Sequence, residues 1–474
     1  MKKDYLIIFF LSLFLRLFLA GLILFNFGEQ GFIGKGDAVG QYLPLAKNFA
    51  LGKGFTLDGV TPYAYKAPGY PLYLAFFYKI FGVFWPALIV QIIFSASLAV
   101  FIFKIGGEIG LERKVSWIAA VLTATAPHLI YYSNFYVTES LFAFLFILGI
   151  WFFIRFLKEP NLKYALLSGV FLGLDTLTKV SVQYLPFVFL PFLIFLIWKT
   201  PRETRKKFIL LFVVFFLVFI AVFAPLAIRN YKHFGTFNLN SQGVYLLYRY
   251  EGASIVFLRD KISFGEAERL ARRELLEGTG LENTPEEQLV DLKYAPILFE
   301  KTLNLMKRNM SAVAKIELIN ILSFWTHNNY AYLLSIYKII PSPSLEKPPA
   351  YLLAMADWRG IFNALKLTLA NSYYSLALLS RLFWILVAFF GVLAFFFAVF
   401  GKRMTKEQKF FVFFLFLIVV YFNAVLFPLG FGGEARLRYH VEPFMFLLAG
   451  FGCIISFSML SKKQIRKSNI KEIQ

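Results

Sequence analysis

Residues 5–27 read YLIIFFLSLFLRLFLAGLILFNF, and the chain beyond them carries Gly36-Asp37-Ala38-Val39-Gly40-Gln41-Tyr42 and then Tyr65-Lys66-Ala67-Pro68-Gly69-Tyr70-Pro71. The apolar run is long enough to cross a bilayer, which takes roughly 20 such residues. The two motifs after it set one carboxylate and one lysine among aromatic, glycine and proline residues at the membrane surface. That setting suits acid–base chemistry beside an anionic lipid head group. Lys2-Lys3 ahead of the run resembles the start of a secretory signal, but the run is long, holds Arg16 and lacks a small-x-small cleavage pattern. It reads as a retained first span.

Composition points the same way. The chain is 59% hydrophobic, 19% aromatic and only 16% charged, with a mean hydropathy of +0.65, far from a soluble average. Spans are expected at Tyr5–Phe27, Trp85–Ile105, Val115–Tyr132, Thr138–Leu157, Tyr164–Leu177, Tyr184–Trp198, Phe208–Ile228, Tyr374–Phe400, Phe410–Phe427 and Val441–Ser458. The expected fold class is an all-α polytopic membrane bundle of about ten transmembrane helices.

A net charge of +21 would suit a nucleic-acid partner if it were spread over one surface. Instead the basic residues sit between alternate spans: Lys2-Lys3, Arg113-Lys114, Lys158 with Lys163, Arg205-Lys206-Lys207, Lys402-Arg403 and the tail from Lys462 to Lys471. This is the positive-inside pattern, so both termini are expected in the cytoplasm and no nucleic-acid partner is expected. The Asp37–Tyr70 loop, the Tyr131–Val137 turn, the stretch from Arg229 to about Asn371, and Pro428–Arg438 then fall on the outer or periplasmic face of a cell membrane. Three regions follow: an N-terminal transmembrane catalytic module over 1–228 with its first outer loop at 28–84, an outer-face region over 229–371, and C-terminal helices with a basic tail over 372–474. In the middle region Phe264–Glu277 and Thr284–Arg308 have amphipathic helical spacing, and Thr284-Pro285-Glu286-Glu287 reads as a capping box. A packing or interfacial role is expected for both helices, ahead of contact with an acceptor. The single Cys453 and four scattered histidines supply no disulfide and no metal-ligand spacing.

The order of first span, Asp-bearing loop and Tyr65-x-Lys66-x-Pro68-Gly69-Tyr70-Pro71, followed by Gly173-Leu174-Asp175-Thr176-Leu177-Thr178-Lys179 and Pro225-Leu226-Ala227-Ile228-Arg229-Asn230-Tyr231, resembles the GT-C-fold glycosyltransferases that use polyprenyl-phosphate sugars. The likeness is to the branch holding the protein O-mannosyltransferases and the aminoarabinose transferases of lipid A. Gly433-Glu434-Ala435-Arg436-Leu437-Arg438-Tyr439-His440 is similar to that branch's closing motif. The resemblance implies transfer on the outer face from a lipid-linked donor, with an acidic residue of the first outer loop as base. Family members differ in metal use, which leaves a divalent cation open as a cofactor.

The chemistry needs a carboxylate to take the acceptor proton and positive charge to stabilise the leaving phosphate. Asp37 is the expected base; its plainer role would be to cap the helix starting near Ala38. Asp58 is the rival carboxylate, although Leu57-Asp58-Gly59-Val60 reads as a turn. Lys66 is the expected phosphate ligand, or else an interfacial lysine snorkelling to head groups. Arg229 could reach the same phosphate through its planar fork of donors or simply anchor a helix end. Arg436 and Arg438 share that ambiguity, and only one of the two is expected to face the site. Lys179 matches the family motif as a further phosphate ligand, with Asp175 as its expected partner. Glu139 opens an apolar span, where a carboxylate is costly unless paired; it is either a second site carboxylate holding acceptor or cation, or a helix-start charge. Arg16, within the first span, is expected to find a structural partner.

The expected activity is transfer of a hexose or pentose from a polyprenyl-phosphate donor to a hydroxyl on a glycan, lipid or protein, with inversion. A transporter or flippase of lipid-linked sugars is the alternative. It would call for repeats in matching halves, whereas here the charges concentrate on one face.

Overall fold

The computed structural model describes residues 2–33, 38–199, 201–328, 330–336, 340, 355–370, 372–401, 404–425, 430 and 435–471. Asp37 therefore lies outside the described residues, as does most of the expected outer loop ahead of Ala435. Among the described residues the regular structure is helical, with no strand.

The N-terminal half runs α1 (Lys2–Phe27), α2 (Leu43–Ala50), α3 (Gly69–Phe81), α4 (Trp85–Glu108), α5 (Arg113–Thr125), α6 (Pro127–Tyr132), α7 (Glu139–Lys158), α8 (Leu162–Thr178), α9 (Leu185–Lys199) and α10 (Arg202–Phe234). Seven described helices are long and apolar enough to cross a membrane: Lys2–Phe27, Trp85–Glu108, Glu139–Lys158, Val180–Trp198, Arg202–Phe234, Ser372–Phe400 and Lys406–Val425. Glu442–Ser458 is a shorter apolar stretch. The chain is a multi-pass membrane protein, and the described residues do not confirm the expected count of about ten spans.

One expected span falls short for a geometric reason. Val115–Tyr132 is divided between α5 and α6, because Pro127 supplies no N–H and Ala126 before it is extended at φ −61° and ψ 119°. That leaves α5 with 13 residues, about 20 Å of helix against a hydrocarbon core of about 30 Å. The helix α8 has 17 residues and packs between α7 and α10.

Arg16 finds partners rather than reaching for either surface. Its Nε donates to Ser95 Oγ at 2.9 Å, and one terminal nitrogen donates to Ser12 Oγ at 2.7 Å and to the Ala124 carbonyl at 3.1 Å. These bonds tie α1 to α4 and α5 inside the bundle.

The region after α10 has an apolar core of its own, built on Tyr245, Tyr248, Ile255, Ala271, Leu275, Leu298 and Ile316. The expected helix at 264–277 is present as Phe264–Leu276, capped where Ser263 Oγ accepts the Glu266 N–H. The expected helix at 284–308 starts late, at Ala295. The capping box does not form: Arg272 takes the Thr284 carbonyl, Arg272 and the Tyr245 hydroxyl take the two carboxylate oxygens of Glu286, and residues 286–290 form turns instead.

Candidate active site

The expected first outer loop is fastened to the bundle at Gly69. A Cβ there would lie 2.7 Å from the Leu177 carbonyl carbon and oxygen, so only glycine lets the Lys66–Tyr70 segment lie against the end of α8. Lys179 follows two residues later. The motif thus sets the loop lysine and the α8 lysine on neighbouring backbone.

Lys66 is 5% exposed, too buried for a snorkelling lysine. Its ammonium lies 5.1 Å from the Tyr65 ring and 5.9 Å from the Tyr42 ring, within cation–π range. Tyr42 belongs to a π-helical turn, Ala38–Tyr42, and meets Tyr70 edge-to-face at 5.2 Å. Tyr70 Oη donates to Gln91 Oε1 at 2.8 Å, and Gln91 Nε2 donates to the carbonyls of Ser133 at 3.1 Å and Phe135 at 2.7 Å. The loop motif therefore holds the turn that leads into Glu139.

Glu139 is 1% exposed and joins two cations. Lys179 Nζ donates to its Oε1 at 3.1 Å, while Arg436 donates through Nε to Oε1 at 2.6 Å and through a terminal nitrogen to Oε2 at 3.2 Å. The guanidinium of Arg436 also lies 5.7 Å from the Tyr132 ring. Burial works against the charge of Arg436, but the Glu139 carboxylate outweighs it and holds the guanidinium's pKa above its ordinary value. One carboxylate thus serves two cations.

Asp175 is not the partner of Lys179. Its carboxylate accepts no hydrogen bond among the described residues, because Lys179 is already extended, at φ −140° and ψ 118°, and turns toward α7.

The other expected site residues stand apart. Arg229 donates to the Tyr63 carbonyl and Asn230 Oδ1, each at 2.9 Å, and lies 5.8 Å from the Phe55 ring; it braces the first outer loop. Asp58 is exposed and closes a turn. It accepts from the hydroxyls of Thr61 and Thr56 and the N–H groups of Val60 and Thr61, which hold its carboxyl well below the usual carboxylate range. Arg438 is fully buried. It donates to Glu442 Oε1 at 3.2 Å and to the Phe324 carbonyl at 2.7 Å, and stacks 3.6 Å from the Trp384 ring centroid. Of the two closing-motif arginines, Arg436 is the one paired with Glu139.

Residues passed over in the sequence complete the surroundings. Tyr439 Oη lies 3.0 Å from Ser140 Oγ and 3.3 Å from Ser95 Oγ, which links Arg16 to the start of α7. Gln91, a lone amide in an apolar span, was the available signal. Among the described residues no group of three or more His, Cys, Asp or Glu side chains could hold a metal ion.

Residues 65–228 match the family model described as dolichyl-phosphate-mannose-protein mannosyltransferase. That range holds Lys66, Glu139 and Lys179. No curated protein matches the chain. Among solved structures, the chain is similar to the archaeal oligosaccharyltransferase AglB from Archaeoglobus fulgidus, solved with an inhibitory peptide and a dolichol-phosphate. The TM-score is 0.51 at 13% identity, over 99% of this chain and 52% of that one. The chain thus spans about half the length of the archaeal protein. ArnT from Cupriavidus metallidurans, in the apo state, gives a TM-score of 0.36 at 11% identity, over 89% of this chain and 72% of that one. The chain is a membrane protein of the GT-C fold, and the mannosyltransferase family's sequence pattern runs within it from Tyr65 to Ile228.

Proposed function

We propose that this protein is a membrane glycosyltransferase that moves a hexose or pentose from a polyprenyl-phosphate donor to a hydroxyl of a glycan, lipid or protein on the outer face of a cell membrane, with both termini in the cytoplasm. The observation that carries the reading is the buried Glu139 with Lys179 and Arg436 on it, next to the loop that carries Lys66. A carboxylate that fixes two cations at one point orders them for an anion, and a leaving lipid phosphate suits that place. The family match over residues 65–228 and the dolichol-phosphate named with the archaeal structure support that choice.

In the reaction, the acceptor oxygen attacks the anomeric carbon as the carbon–oxygen bond to the phosphate breaks, inverting that centre. Asp37 takes the acceptor proton; this assignment rests on its place in the sequence motif. Lys66 and Arg436 stabilise the departing phosphate, with Lys179 held by Glu139 as a third cation. Glu139 fixes the two cations from the outer end of α7. Arg229 holds the loop that bears Lys66. Asp58, spent on its turn, takes no part.

The test is transfer of labelled sugar from a panel of polyprenyl-phosphate sugars to cell-envelope acceptors, by purified protein and its Asp37→Asn variant. Incorporation by the parent and its loss in the variant are expected. Full activity in a variant inserted at the parental level removes Asp37 as base, and no incorporation from any donor removes the transferase reading.

A further inference from the structure

The outer region's own core supports a second polar site, away from Glu139. A cavity of about 190 Å³ is lined by Tyr248, Arg249, Glu268, Arg269, Arg272 and Glu286. Both carboxylates are already engaged. Arg249 Nε donates to Glu268 at 2.7 Å, and Arg272 pairs with Glu286. Tyr245 Oη joins the two pairs, donating to Glu286 at 2.9 Å and accepting from Arg249 at 3.3 Å.

The donors that remain have no such use. Arg269 is exposed and makes no ion pair among the described residues, so the lining carries one positive charge more than its two carboxylates balance. Tyr248 Oη belongs to a side chain 2% exposed; Arg272 lies beside it, yet no well-formed hydrogen bond reaches the hydroxyl among the described residues. A buried hydroxyl without a partner is costly, and a ligand oxygen would remove that cost. Tyr248 and Arg249 both sit on a π-helical turn, Leu247–Glu251, a distortion frequent at functional sites.

The cavity adjoins the site already described. The Tyr245 ring meets the Tyr65 ring edge-to-face at 5.6 Å, and the Lys66 ammonium lies 5.1 Å from that Tyr65 ring. We propose that this cavity is an oxyanion subsite that holds a phosphate or carboxylate group of the acceptor, with Arg269 and Tyr248 as donors. The assignment rests on the transferase reading for its substrate, and on the cavity's own donors for its chemistry.

The experiment is calorimetric titration of the purified full chain in detergent with inorganic phosphate, for the parent, Arg269→Ala, Arg269→Lys and Tyr248→Phe. Arg269 lies on the exposed face of its helix, so these variants are expected to fold; a melting curve checks it. Saturable binding by the parent, weakened about tenfold in Arg269→Ala and partly restored in Arg269→Lys, is expected. Equal binding by parent and Arg269→Ala overturns the subsite. With transfer established, an acidic acceptor should show a raised KM and unchanged kcat in Arg269→Ala. Loss of phosphate binding without any transfer activity would sink the transferase reading and leave the oxyanion site standing. Phosphate binding blocked in nanodiscs of phosphatidylglycerol but not of phosphatidylcholine would identify a lipid head group as the occupant and overturn the acceptor assignment.

Discussion

Arg436 and Arg438 stand two residues apart on one 3₁₀ turn, Ala435–Arg438, and each meets a buried glutamate. Residues on such a turn advance by about 120° each, so these two point to different sides. Arg436 goes to Glu139 together with Lys179, and the side chains of both cations keep about a quarter of their surface, at 25% and 26%. Arg438 goes to Glu442, which also meets His128 Nδ1 at 2.9 Å, and all three side chains are 0% exposed. The ion-pair chemistry is the same in both places; access differs. A sealed pair can only brace the fold, whereas a pair whose cations remain reachable can exchange part of its attraction for an incoming anion.

The largest effect is therefore expected at the sealed pair. Arg438→Met leaves Glu442 buried without its guanidinium, and should cost about 3–5 kcal/mol, read as lost yield of folded protein in detergent. Replacing Glu442 by Gln in the same chain should return part of that loss. The open pair should behave the other way round. Glu139→Gln is expected to lower kcat about a hundredfold while thermal stability moves less than in Arg438→Met. If Glu139→Gln unfolds the protein and Arg438→Met spares it, the roles of the two clusters are reversed. Between these lies Gly69→Ala, which forces a Cβ to within 2.7 Å of the Leu177 backbone. Overpacking there should cost about 1–3 kcal/mol, and activity should fall further than stability, because the segment that shifts carries Lys66.

How much of this was legible in the sequence depends on the range of the interaction. The loop motif, Lys66, Glu139, Lys179 and both arginines could be named because each is an odd residue in its local setting: a lysine between tyrosine and proline, or a carboxylate opening an apolar run. Their pairing could not be read. Glu139 lies 40 residues from Lys179 and 297 from Arg436, and no local rule relates such positions. The partnership of Asp175 with Lys179 failed because an i, i+4 pair needs both residues on the helix, and Lys179 has left it. The capping box at Thr284 failed to a long-range rival, since Arg272 takes the Thr284 carbonyl that would accept the first bond of the helix, together with Glu286. Pro127 stood in plain view within Val115–Tyr132, and its break was a local signal given too little weight against the apolar pattern. Which arginine faces Glu139 is a matter of rotation along one turn, which composition does not carry.

A last test asks whether the buried charge of the region after α10 belongs with the sealed or the open class. Glu251 is 0% exposed, and its Oε2 accepts the Gly430 N–H at 3.1 Å, which ties this region to the last outer loop. Burial pushes its carboxyl up to about 7, against that hydrogen bond; burial, and then Glu251 itself, push Glu317 up to about 8. Below the ordinary glutamate value of 4.5, both groups are protonated whether the chain is folded or unfolded. As pH rises past that value the unfolded chain releases its protons first, so folded stability should fall between 4.5 and about 7 for Glu251, and on to about 8 for Glu317. Each carboxylate can contribute a slope of at most about 1.4 kcal/mol per pH unit. Melting curves across this range should therefore decline with pH in the parent and less steeply in Glu251→Gln, where only Glu317 of the two can still ionise. An unchanged slope in that variant would mean that water or a cation reaches Glu251 in the folded protein, and would move it from the sealed class to the open one.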